Sequence, residues 1–192
     1  LLSGYDTIRS SSEIHDSLYA RVLIFQDSQY YAIISLDTLA VDHHFTKLVR
    51  EALTELGFKP EHIVVCATHT HSGPQGLCSG EHTVLEGLSK TFGEYDENYA
   101  SFCVRQILKA VKEAQNGQQP FQVKLIKTKV SDVAQERHGR TGSMDGFLWA
   151  MEFIVDQGLP VLLYSYPCHP TILNAKNTAI SADLCYGVEK SL

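Results

Sequence analysis

Apolar residues in this chain fall into short runs broken by polar clusters, and in two longer stretches they recur at helical spacing. Residues 17–27, SLYARVLIFQD, and 30–38, YYAIISLDT, are rich in β-branched and aromatic side chains, which suit a pleated, half-buried surface. Only Ser28 and Gln29 separate them after Asp27, so the pattern predicts a hairpin. Over 43–56, HHFTKLVREALTEL, a stripe of Leu48, Val49, Ala52, Leu53 and Leu56 lies on one side of a helix. Asp42 is placed to cap its first turn, Gly57 to stop it, and Pro60 stands just beyond. HIVVCAT at 62–68 reads as a short buried strand. Strand, helix and strand in that order predict a βαβ unit with its two strands parallel.

A second helix is predicted over 96–115, DENYASFCVRQILKAVKEAQ, with Phe102, Cys103, Ile107, Ala110, Val111 and Ala114 inward and Asn116-Gly117 at its end. Strands follow at 120–131, 148–155 and 160–167, and the polar, glycine-containing loop QERHGRTGSMDG separates the first two. Residues 69–93 form a loop rich in Gly, Ser, His and Thr, of a length that in a compact domain marks function. The final AISADLCYGVEKSL begins another helix. These elements predict an α/β fold, with a mixed central β-sheet flanked by helices 43–57 and 96–115 in a single domain over 1–192. Both ends read as cut, so a fragment of a longer domain is expected.

Composition narrows the partners. The 192 residues carry a formal net charge of -6, without the basic surface that nucleic acid or an anionic membrane would need. No apolar run approaches the roughly 20 residues of a membrane span. The five cysteines are odd in number and lack CxxC spacing, which suits free thiols in a reducing, cytoplasmic compartment.

The candidate chemistry lies where apolar strands surface. In VVCATHTHSGPQG, residues 64–76, a buried run stops at Thr68, and His69 and His71 follow two apart. Ligands of α/β sheets gather at the carboxyl ends of strands. In an extended segment positions 69 and 71 point the same way, so two imidazoles there suit a divalent metal, or one ligand and one acid–base partner. A hydrogen-bonded pair in a polar loop is the plainer alternative. His169, in YPCHPTILN, again follows an apolar strand. Asp37 and Asp183 are placed to orient a ligand imidazole, or to serve as a turn residue and a helix cap respectively. Arg137 and Arg140 sit in the polar loop, where a guanidinium either holds developing negative charge or is simply solvated. There is no G-x-S-x-G elbow, H-E-x-x-H helix, Walker loop or dinucleotide fingerprint.

Four segments, HDSLYARVLIF at 15–25, SLDTL at 35–39, ATHTHSGP at 67–74 and CHPTIL with ISAD between 168 and 183, resemble the neutral/alkaline non-lysosomal ceramidase family, in its N-terminal catalytic domain. They occur in the family's order across nearly the whole chain. The resemblance implies a zinc-dependent hydrolase acting on a small-molecule or lipid-like amide. It places zinc ligands at His69 and His169, an active-site histidine near substrate at His71, and an arginine for the reacting group at Arg137, or Arg140. The family completes its zinc site with a downstream Glu and Tyr and carries a serine in a Gly-Asp motif, none of which falls within these residues. A degenerate, non-catalytic metal-binding homologue is therefore the alternative expectation.

Overall fold

A computed structural model describes residues 1–78, 88–131, 133–134 and 146–192. The chain forms β1 (Glu13–Ile14), β2 (Ala20–Gln26), β3 (Tyr30–Leu36), α1 (His43–Thr54), β4 (Phe58–Ala67), α2 (Ser89–Phe92) and α3 (Glu97–Asn116). It continues through β5 (Phe121–Lys129), β6 (Phe147–Val155), β7 (Val161–Ser165), β8 (Ala179–Ile180) and α4 (Leu184–Ser191). Residues 1–116 and 170–192 make one compact unit, and 117–169 a second.

In the first unit β2 pairs antiparallel with β3, and β3 pairs parallel with β4, giving the mixed sheet β2-β3-β4. The hairpin and the βαβ unit both form as the apolar pattern predicts. The Asp42 carboxylate accepts from the Phe45 amide at 2.8 Å and starts α1. Gly57, with φ of 89°, ends it in the left-handed region that glycine enters without a Cβ penalty. Helix α1 packs on β4 and α3 on β2, and the helices meet each other. Alternation along β3 sends Ala32, Ile34 and Leu36 into this layer, where they join Phe45, Val49 and Leu53 of α1 and Ile107 and Val111 of α3.

The geometry corrects two details. Phe102 is 48% exposed, because the buried line of α3 runs through Ala100, Cys103, Ile107 and Val111, and residue 102 lies about 100° around the helix from 103. Cys66, within the strand expected to be buried, is exposed, since it points to the sheet face opposite the helices. A short parallel pair, β1 with β8, also belongs to this unit.

In the second unit β5, β6 and β7 form an antiparallel meander. The fold is thus α/β with several sheets, and its strands are divided between the two units. Among the described residues no helix is long and apolar enough to cross a membrane.

Candidate functional site

The parallel pair β3–β4 finishes at one edge, with Leu36 opposite Ala67. Two main-chain bonds carry the pairing past the strands: the Thr68 amide donates to Leu36 O at 2.9 Å, and the His69 amide to Thr38 O at 3.0 Å. His69 itself turns into the left-handed region, with φ of 68°. A non-glycine residue held there is uncommon, costs about 1–3 kcal/mol, and clusters at functional sites. The extended geometry expected for 69–71 is therefore wrong. The two imidazoles still meet, edge to face, with centroids 5.1 Å apart, and a ligand nitrogen of one lies within 4.8 Å of a ligand nitrogen of the other.

The two rings are held differently. His69 is exposed, and its Nδ1 lies 2.7 Å from Leu39 O. A carbonyl accepts only, so Nδ1 carries the proton and Nε2 carries the lone pair, the arrangement typical of metal-ligating histidine. His71 is buried, and Tyr5 packs edge-on against it at 4.9 Å. A Cβ on Gly4, whose φ is 103°, would lie 2.6 Å from the His71 ring, so only glycine fits at that approach.

The rest of the THTHSGP loop is anchored to the segment leading into α4. Thr70 Oγ1 donates to Ser181 O at 2.8 Å, the Ser181 amide to Ser72 O at 3.0 Å, and Asn177 Nδ2 to Ser72 Oγ at 3.0 Å. Asp16, also buried, receives the Ser181 hydroxyl and the Ala182 amide, the latter at 2.8 Å, and pairs with His15 at 2.9 Å.

Asp183 caps α4 with φ of 56°. Its carboxylate accepts the amides of Leu184 at 2.7 Å, Ile172 at 3.1 Å and Leu173 at 2.9 Å. It thereby shapes the turn just after His169, acting on main chain. His169 is the last residue of the second unit, one peptide bond before Pro170, where the chain re-enters the first.

Asp37 follows β3, and its buried carboxylate accepts the Tyr19 amide at 2.9 Å, Arg21 Nη1 at 2.8 Å and the Thr68 hydroxyl at 3.2 Å. It braces the strand ends under the loop. Burial pushes its carboxyl above the usual range, against the pull of these donors. Burial also opposes the Arg21 charge, but Glu189 and Asp37 more than restore it and hold the guanidinium above its usual value. Arg137, with its alternative Arg140, lies outside the described residues.

Gly4, Tyr5 and Arg9, which surround His71, were missed, because a glycine before an aromatic was the sole local signal and no periodicity flags it.

The family profile described as "Neutral/alkaline non-lysosomal ceramidase, N-terminal" matches residues 1–188. No curated protein matches the sequence. Among solved structures, "Ceramidase complexed with C2" superposes with a TM-score of 0.81 at 18% identity, over 94% of this chain and 30% of that one. The neutral ceramidase from Pseudomonas aeruginosa superposes with a TM-score of 0.81 at 19% identity, over 94% of this chain and 31% of that one. The chain therefore spans about 30% of the length of these proteins, and at such identities the likeness is one of fold.

Proposed function

Because the chain belongs to the neutral/alkaline non-lysosomal ceramidase family, we propose that it carries the metal-binding part of an enzyme that hydrolyses the amide bond of an N-acyl, lipid-like substrate. The observation that carries this reading is the imidazole pair at the carboxyl end of β4, with His69 held in strained backbone and its Nδ1 proton committed to Leu39 O. Imidazole nitrogens suit zinc, and a carbonyl-bound Nδ1–H is what orients such a ligand. The donor set therefore fits the metal.

In this reading His69 and His169 hold zinc. When bound, zinc supplies Lewis-acid polarisation of the scissile carbonyl. His71, buried beside the ligand, holds or moves the proton that must reach the leaving amine. By the family resemblance, Arg137 is assigned to the charge that develops on the carbonyl oxygen. Asp183 positions His169 through the amides that follow it, and Asp37 braces the strand ends beneath His69.

The test is elemental analysis of the zinc-supplemented intact protein beside His69→Ala and His169→Ala, with mass-spectrometric detection of fatty acid released from an N-acyl sphingoid base. Near-stoichiometric zinc lost in both variants, together with acid release by the wild type, supports the reading. Zinc without release favours the non-catalytic homologue. Absence of zinc from the wild type overturns the proposal.

A further inference from the structure

Arg9 is 5% exposed, and three backbone carbonyls receive its N–H groups. Nη2 donates to Ser3 O and, at 2.7 Å, to His71 O, while Nη1 donates to Asn177 O at 3.0 Å. The guanidinium carbon lies 4.5 Å from the centre of the Tyr5 ring, and Tyr5 in turn packs on His71 and donates its hydroxyl to Leu173 O at 3.2 Å. One side chain thus ties together three stretches distant in sequence: the first residues of the chain, the THTHSGP loop, and the segment after the second histidine motif.

Burying a cation is costly unless its hydrogen bonds are met. Here Nη1 and Nη2 meet three main-chain carbonyls, while the buried Nε has no hydrogen-bond partner among the described residues. A planar fork can serve several acceptors in fixed directions, whereas a lysine ammonium is a single point on a flexible stem. The same cluster controls both parts of His71. Arg9 fixes its main-chain carbonyl, and Tyr5, stacked on Arg9, fixes its ring. Gly4 leaves the room for this, since any side chain there would strike the imidazole.

We propose that Arg9, with Tyr5 stacked upon it, is a positioning residue for His71, and that its forked geometry, not its charge alone, sets where that imidazole stands. The functional consequence rests on the amide-hydrolase reading, in which His71 handles the proton and His69 and His169 hold the metal. Arg9 then governs turnover without governing metal content.

The experiment compares wild type, Arg9→Lys and Arg9→Gln in the intact protein by two independent readouts. Amide hydrogen exchange needs no activity. The amides of residues 70–73 are expected to exchange about 10-fold faster or more in both variants, while those of α1, β3 and β4 keep the wild-type rate. Steady-state kinetics on the N-acyl substrate, with zinc analysis of the same samples, is expected to show unchanged zinc, kcat lower by about 10²-fold and KM within about 3-fold.

Unchanged exchange at 70–73 overturns the clamp. So does a uniform rise across the protein, which marks plain destabilisation, or loss of zinc in step with kcat. Wild-type kinetics in Arg9→Lys overturns the claim that the fork matters. A wild type without zinc or turnover sinks the amide-hydrolase reading instead, and the exchange data still judge the clamp.

Discussion

The sheets β2-β3-β4 and β5-β6-β7 each have three strands, yet among the described residues the first ends in the paired histidines His69 and His71, whereas the second leads, through β7, to the single His169. The difference lies in connection. The parallel strands β3 and β4 need a crossover, supplied by α1, so both carboxyl ends leave at the same edge and their loops can bond to each other. In the meander each strand reverses, and successive carboxyl ends leave at opposite edges. Burial differs as well. Helices cover one face of the mixed sheet, whereas Leu125 and Trp149 of the meander are 76% and 52% exposed, beside an apolar hollow of about 430 Å³.

The sharpest way to break this comparison is to alter one residue in each sheet's territory. His69→Ala removes a proposed ligand and is expected to abolish zinc binding and to lower kcat/KM by about 10³-fold or more, since a metal supplies several kcal/mol of charge stabilisation. Leu125→Ala leaves zinc and turnover unchanged. Metal loss in the second variant would mean that the meander, too, shapes the site.

Stability separates the sheets next. Phe45 is fully buried in the helix layer, so Phe45→Ala should cost about 3–5 kcal/mol in urea unfolding. Leu125→Ala should stay within about 0.5 kcal/mol, as exposed substitutions do. A cost above about 2 kcal/mol for Leu125→Ala would show that the open face is covered in the intact protein.

Smaller still is the effect of filling the approach beside His71. Gly4→Ala forces the ring aside and strains a φ of 103°. It is expected to lower kcat by about 10–100-fold with zinc retained. Full activity in that variant would mean that the His71 ring tolerates displacement.

The hairpin, the βαβ unit, both long helices and the strands of the meander were legible because each rests on local periodicity and on punctuation such as Asp42 and Gly57. His69 and His71 stood out because two histidines at the end of an apolar run are conspicuous in any frame. What stayed hidden is tertiary. Nothing local tells His69 to enter a left-handed conformation, and nothing marks Arg9 as the donor to carbonyls at 71 and 177. Asp183 was legible as a cap but not as the acceptor of amides at 172 and 173, because that role exists only once the chain folds back. The split of the strands between two sheets was likewise invisible, since alternation gives a face but not a neighbour.

The smallest effect tests the brace under the site. Burial raises the Asp37 carboxyl above its ordinary value of about 3.9, so the folded protein holds that proton more tightly than the unfolded chain does. The stability contributed by this group is therefore fully present below about pH 3.9 and declines as pH rises through the folded value. Asp37→Asn removes the titration, so its stability curve should be flatter than that of the wild type from about pH 4 upward. Urea unfolding of both proteins between about pH 4 and 6.5 measures the two slopes. Parallel curves would mean that Asp37 titrates alike in both states. A wild-type curve that gains on the variant as pH rises would mean that the Arg21 pair outweighs burial, and that the brace is held by charge rather than by the Tyr19 and Thr68 hydrogen bonds alone.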